Sequence, residues 1–314
     1  MSLKTQKKHN MNNIGITYNM TGESRRGRVS RYHQKPNANF LNKSSHKIDV
    51  SGLKKIDQKN TILFDGNEYE SKFTIGFEVE KSQLSRGAVR EYELFCGFET
   101  DSSCGYEAVT HVLPLLPQGQ WRTKVYDMMH KAERIIDDRH SPSDKKCGGH
   151  ITVAAGGIGG VELNELLRKN CGIIHALFRH RLKNIYCGSN RRMQNRADDN
   201  FNSATGGCYG STACHWKYQT VLVKGNCVEF RVPSKFESVK QMMRRYELFY
   251  ELINFSVNKP NGTFKSFLKI IKPIVISMYN GDEDKANEIL ALAASFQVFI
   301  NAGTIADDIE KFLN

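Results

Sequence analysis

Residues Phe73 to Glu80 read Phe-Thr-Ile-Gly-Phe-Glu-Val-Glu, with Ile75, Phe77 and Val79 on one parity and Gly76, Glu78 and Glu80 on the other. Strict alternation predicts a β-strand with one apolar face. This segment constrains the chain more than any other, because a helix would scatter these residues around its circumference whereas a strand sorts them. Similar patterning predicts strands over Tyr106 to Leu113, Gly149 to Ala154, Tyr218 to Val223 and Cys227 to Val232. Lys224-Gly225-Asn226, between the last two, has the character of a hairpin turn.

Elsewhere the apolar residues take helical spacing. Val125, Met128, Met129, Ala132, Ile135 and Ile136 form one stripe. Leu163, Leu166 and Leu167 form a second, and Ile173, Ile174, Leu177, Phe178 and Leu182 a third. The C-terminal part is almost all helical by this criterion, with stripes at Val239, Met242, Tyr246, Phe249 and Ile253 and at Ile289, Leu292, Ala293 and Phe296. Thr304 is suited to cap a last short helix. Strands and helices do not alternate regularly. The predicted class is therefore α+β, a mainly antiparallel sheet with helices on one face, rather than a doubly wound parallel sheet.

The chain of 314 residues is long enough to bury a large core. No run approaches ~18 consecutive apolar residues, so no membrane span is expected. The first thirty residues hold no apolar core of a secretory signal, and the eight cysteines are expected to be reduced thiols of a cytoplasmic protein. The charge is uneven. Residues 1–48 carry ten lysines and arginines against Glu23, a net +9 of the whole chain's +12. This basic arm, taken as residues 1–58, has too few large apolar residues for a core of its own. It suits contact with nucleic acid or another polyanion, or else a solvated, flexible terminus. No aromatic residues interleave at a spacing for base stacking, which favours the second.

The chemistry lies in the polar positions of the strands. Glu78 and Glu80 project from one sheet face about 7 Å apart, where two carboxylates repel unless a cation lies between them. Oxygen ligands of this kind suit Mg²⁺ or Mn²⁺. Glu229 and Arg231 form a second i, i+2 pair, with Val228, Phe230 and Val232 on the opposite parity. One of them suits a metal, the other a bidentate grip on phosphate. Glu107 follows Gly105 on a third strand, and His150 follows Gly148-Gly149 on a fourth. An antiparallel sheet with one face in water shows the same alternation. The alternatives are thus a solvated face and a metal site.

The ordered set Gly76-Phe-Glu78-Val-Glu80, Asp101 with Gly105-Tyr-Glu107, Cys147-Gly-Gly-His150 and Val228-Glu229-Phe-Arg231 resembles the phage and bacterial amidoligases. These belong to the glutamine synthetase and glutamate–cysteine ligase superfamily. The resemblance spans residues 72–256. It implies a curved antiparallel sheet with helices on its convex face and a concave face that binds ATP and divalent metals. Residues 59–258 would be the catalytic domain and residues 259–314 a helical extension packed on it. By position, Glu78, His150 and Glu229 would share one Mg²⁺ or Mn²⁺, and Glu80 and Glu107 another. Arg231 would contact the transferring phosphate, and Asp101 would serve in substrate or amine handling. Lys217, before Tyr218, would lie near nucleotide phosphate, and Arg191 and Arg192 would reach phosphate or the substrate carboxylate. Thr152 stands where many members have a second histidine, which would remove one metal contact.

The implied activity is ATP-dependent ligation of a carboxylate to an amine through an acyl phosphate. The substrates would be amino acids, peptides or protein side chains in the cytoplasm of a bacterium or a phage-infected host. One rival is a guanidino-kinase-like phosphotransferase. The other is an inactive ligase-like domain serving a structural or nucleic-acid-binding role through the basic arm. Gly156-Gly-Ile-Gly-Gly160 lacks the third glycine of a dinucleotide loop, since Glu162 takes its place. Cys208, Cys214 and His215 contain no C-x-x-C pair that would mark a zinc site with Cys187 or Cys147.

Overall fold

The computed structural model describes residues 16–19, 41–43, 59–64, 67–101, 104–137, 146–182, 184, 187, 220–224 and 227–302. The strands are β1 (Ile16–Asn19), β2 (Leu41–Lys43), β3 (Lys59–Phe64), β4 (Asn67–Ser71), β5 (Phe73–Lys81), β6 (Phe95–Asp101), β7 (Gly105–Thr110), β8 (Leu113–Pro114), β9 (Ile151–Ala155), β10 (Val221–Lys224) and β11 (Cys227–Phe230). The helices are α1 (Arg86–Arg90), α2 (Gln120–Lys131), α3 (Glu133–Ile136), α4 (Gly160–Arg168), α5 (Gly172–Leu177), α6 (Val239–Asn258), α7 (Phe264–Met278) and α8 (Glu283–Ala302).

The class is α+β. The main sheet has eight strands, seven of them in the order β10-β11-β9-β5-β7-β6-β2, with β8 also paired to β5. Every pair in it is antiparallel except β2 with β6. A smaller antiparallel sheet joins β1, β3 and β4. Two segments of the basic arm, β1 and β2, thus pair as strands. Among the described residues no helix is long and apolar enough to cross a membrane.

The apolar parity of β5 enters the core, where Ile75, Phe77 and Val79 are buried beside Ile151, Val153, Val228 and Phe230. Helix α6 covers this face. Ser238 caps its N-terminus by accepting a hydrogen bond from the Gln241 N–H at 3.2 Å. Its buried stripe of Met242, Tyr246, Phe249 and Ile253 follows the helical period. Phe249 meets Phe230 edge to face at 5.0 Å, and the Tyr246 hydroxyl donates to the Pro114 carbonyl at 2.6 Å. The C-terminal helix α8 packs against α5, where Gln297 accepts from the Gly172 N–H at 2.9 Å and donates to the Arg168 carbonyl at 3.0 Å.

Several boundaries differ from the periodicity. The stripe from Val125 to Ile136 is two helices, because Ala132 leaves the helical region at φ −93° and ψ 13°. The strand expected over Tyr106 to Leu113 divides into β7 and β8. Arg231 and His150 stand just outside β11 and β9 rather than within them. In both cases alternation runs past the last ladder bond, since it records which side is apolar and not where pairing stops. Thr304 and the hairpin residues Gly225 and Asn226 lie outside the described residues.

Candidate metal and anion site

The second parity of β5 is not in water. All nine residues of the strand are buried, so its polar residues are enclosed as fully as its apolar ones. Glu78, Glu80, Glu107, His150, Glu229 and Arg231 are each no more than 6% exposed. This excludes a solvated face, which would leave these groups accessible.

Register explains how they meet. In an antiparallel ladder, directly opposed residues share a face. Glu80 opposes Glu107 across β5 and β7. Gly76 opposes Thr152 across β5 and β9, and Thr152 in turn opposes Glu229 on β11. Beyond the end of β9, the Glu78 N–H still donates to the His150 carbonyl at 3.1 Å. That bond holds the histidine beside Glu78 although 72 residues separate them.

Two groups of donor atoms result. Glu78, His150 and Glu229 offer one atom each within 4.8 Å of one another, and so do Glu80, Cys104 and Glu107. In the first group His150 Nδ1 lies 2.6 Å from Glu78 Oε2 and 3.8 Å from Glu229 Oε1. His150 Nε2 reaches toward the second group, 3.4 Å from Glu80 Oε1. The Gly148 N–H donates to Glu80 Oε2 at 2.5 Å. Arg231 Nη1 donates to Glu229 Oε1 at 2.5 Å, while its Nε has no hydrogen-bond partner among the described residues.

Buried carboxylates this close carry a large desolvation and repulsion cost unless cations or protons compensate. Among the described residues, the Arg231 guanidinium pairs with Glu229 and the His150 imidazole with Glu78. Carboxylate oxygens with an imidazole nitrogen form a donor set that suits a divalent cation. The residues present fit such an ion at Glu78, His150 and Glu229.

Two participants are not evident from the strand pattern. Cys104 lies in the turn before β7, and strand parity alone would send position 104 away from position 107. Arg181 belongs to a short 3₁₀ turn, Arg179–Arg181. It is buried, and its Nη1 donates to the Cys147 carbonyl at 2.9 Å. A Cβ built on Gly148 would lie 3.2 Å from Arg181 Nη2, 3.2 Å from His150 Nε2 and 3.4 Å from Glu80 Oε2. The Arg181 guanidinium therefore borders the acidic cluster, which no sequence signal discloses because its neighbours read as a helix end. Burial, reinforced by the Glu80 carboxylate, pushes the Cys147 thiol up to about 11. That thiol stays protonated at neutral pH and points at the Cys104 carbonyl, 3.9 Å away.

Of the other expected site residues, Asp101 ends β6 as the register partner of Gly105, two ladder positions from Glu107. Thr152 is buried on the site face, between Gly76 and Glu229. Lys217, Arg191 and Arg192 lie outside the described residues, as do Cys208, Cys214 and His215. No protein-family model matches the chain, and no curated protein matches it either.

Proposed function

We propose that the chain is an ATP-dependent carboxylate–amine ligase of the amidoligase type, with a glutamine synthetase-like sheet whose site face binds nucleotide and Mg²⁺ or Mn²⁺. One observation carries the reading. Residues from four separate segments of one sheet converge as a buried cluster of four carboxylates, one histidine and one arginine. The order of those residues along the chain is also the order in which amidoligases carry theirs.

Glu78, His150 and Glu229 would hold a divalent cation, which when bound supplies positive charge against phosphate oxygens. The remaining work falls to the chain. Arg231 is fixed by its bond to Glu229 and presents its Nε to a further anionic oxygen. Arg181 brings a second guanidinium to the same enclosure. Two such cations stabilise charge on a phosphoryl group in transfer, mainly an electrostatic and positioning task. In the proposed reaction a substrate carboxylate oxygen bonds to the γ-phosphorus as the bond to ADP breaks. An amine then bonds to the acyl carbon, phosphate leaves, and the amine loses a proton. Burial excludes water, which would hydrolyse the acyl phosphate.

Calorimetry of ATP binding to the full chain with Mg²⁺, on the wild type and on Glu78→Gln and Glu229→Gln, tests the reading. Mg²⁺-dependent binding that weakens on the order of tenfold or more in both variants is the expected result. A folded wild type that binds no nucleotide with either Mg²⁺ or Mn²⁺ overturns it. ADP release that requires both an amine and a carboxylate separates a ligase from a phosphotransferase.

A further inference from the structure

Arg245 of α6 is 1% exposed, and its guanidinium lies over the rings of Phe178 and Phe236, 5.0 and 4.6 Å from their centroids. A guanidinium enclosed in this way needs acceptors for its donors. It finds them on one short segment. Nη1 donates to the Ser234 carbonyl at 2.5 Å, and Nη2 donates to the Ser234 hydroxyl at 2.9 Å and the Lys235 carbonyl at 3.2 Å. We propose that Arg245 is a positioning residue of the candidate site, orienting His150 and Glu80 through the segment 233–235 rather than acting on a bound group. Its functional consequence rests on the reading of that cluster as a cation and nucleotide site.

The route from Arg245 to the site is short and continuous. Ser234 forms an isolated antiparallel bridge with Gly148, and the Gly149 N–H donates to the Pro233 carbonyl at 3.0 Å. Gly148 in turn donates its N–H to Glu80 Oε2 at 2.5 Å. His150 follows Gly149 directly, and its Nδ1 lies 2.6 Å from Glu78 Oε2. The ladder of β9 begins at Ile151, so these bonds, rather than the ladder, direct residues 148 and 149. The same contacts explain the paired glycines before His150. A Cβ on Gly149 would lie 2.5 Å from the Ser234 carbonyl oxygen, 2.8 Å from the Phe236 ring and 3.0 Å from Arg245 Nη1. Gly148 meets the acidic cluster as closely on its other side, so bare backbone is pressed between the site and the segment that Arg245 holds. The arginine itself is well anchored. The next residue, Tyr246, accepts from the Leu116 N–H at 2.7 Å and donates to the Pro114 carbonyl at 2.6 Å. Groups that orient ligands without binding the ion often matter nearly as much as the ligands.

Two readouts on the full chain test this. Amide hydrogen exchange over residues 147–152, without metal or nucleotide, reports the positioning itself. Mn²⁺ binding, followed by electron paramagnetic resonance, reports its consequence. Arg245→Met removes the guanidinium, and Gly149→Ala presses on the same segment from the other side. Both are expected to speed exchange at Gly148 and Gly149 and to weaken Mn²⁺ binding on the order of tenfold to a hundredfold. Arg245→Lys keeps one charged donor and recovers part of the affinity. Phe178→Leu is the control, since it removes a ring from the guanidinium but no hydrogen bond to Ser234 or Lys235. It lowers stability and leaves both readouts near the wild-type values. If Arg245→Met does not fold, Ser234→Ala removes the 2.9 Å bond alone and shifts both readouts less, in the same direction. Wild-type exchange in a folded Arg245→Met, an equal change in Phe178→Leu, or faster exchange with unchanged Mn²⁺ affinity overturns the proposal. A wild type that binds neither Mn²⁺ nor ATP, with the exchange pattern as expected, sinks the ligase reading and leaves the coupling of Arg245 to His150 standing.

Discussion

Glu80 and Glu107 face one another across adjacent antiparallel strands, one 5% exposed and the other fully buried. Two carboxylates in that relationship repel unless a cation or a proton compensates. Glu107→Gln is therefore expected to raise the stability of the chelator-treated protein by about 1–2 kcal/mol, a few degrees in melting temperature. It also removes most of the stabilisation that added divalent cation gives the wild type. Thermal denaturation with chelator and with Mn²⁺ or Zn²⁺ checks both signs. A variant less stable than the wild type in chelator would argue that the pair is already compensated.

Arg231 sits 2.5 Å from a Glu229 oxygen, and both groups are buried. Removing one partner of a buried ion pair costs about 3–5 kcal/mol, because the desolvated charge remains. Arg231→Ala is expected to fall in that range in urea denaturation. Arg231→Lys keeps the charge but not the fork of donors, and so recovers part of the stability. Both variants are expected to bind ATP at least on the order of tenfold more weakly. Wild-type ATP affinity in Arg231→Lys would show that no bidentate contact is made.

At Gly172 the sheet-bound part of the molecule meets its C-terminal helix. A Cβ there would lie 2.3 Å from the Ala293 carbonyl oxygen and 2.9 Å from Gln297. Those atoms belong to α8, so Gly172→Ala must push that helix away from α5. The expected loss is about 2–3 kcal/mol. Gly87 in α1 is the control, because its nearest contact would be Ser85 Oγ at 3.6 Å, an ordinary separation. Gly87→Ala is expected to stabilise by about 0.5–1 kcal/mol through helix propensity and reduced chain entropy. Equal effects at the two positions would refute the close approach of the two helices.

His175 gives stability a pH dependence. Burial lowers its pKa from 6.5 to about 4, partly opposed by its bond to the Cys171 carbonyl at 3.3 Å. Its ring lies against Phe296 of α8 at 5.9 Å. Between pH 4 and 6.5 the unfolded chain holds a proton on this side chain that the folded chain does not. Its contribution is therefore fully present above pH 6.5 and is lost as the pH falls toward 4. The full loss is about 3 kcal/mol. Denaturation at pH 7 and pH 5, on the wild type and on His175→Gln, measures it. The variant is expected to show a shallower decline, and an unchanged slope would place the titration elsewhere.

Much of the fold was legible because its signals are local. Alternation over Phe73 to Glu80 named a strand and sorted its faces, and the stripe from Val239 to Ile253 named the helix that covers it. Parity also named Glu78, Glu80, Glu107 and Glu229 as residues of one kind of face. Cys104 and Arg181 escaped this reading. Parity misplaces Cys104, since the positive φ of Gly105 changes the direction of the chain after it. Arg181 follows an apolar helical stripe and looks like one more exposed cation, yet it is 2% exposed.

The sequence by itself determined the class of fold, which parity of each strand is apolar, and which residue types could meet on the other. Periodicity is a property of neighbours, and the chain carries it without knowing its partners. Tertiary structure alone decided that the polar face is enclosed, that Glu80 opposes Glu107, and that His150 lies within 2.6 Å of Glu78. Register depends on ladders between segments far apart in the chain, and a one-residue slip would reverse every face. Burial of a strand's second face depends on what packs over it, which no alternation within the strand records.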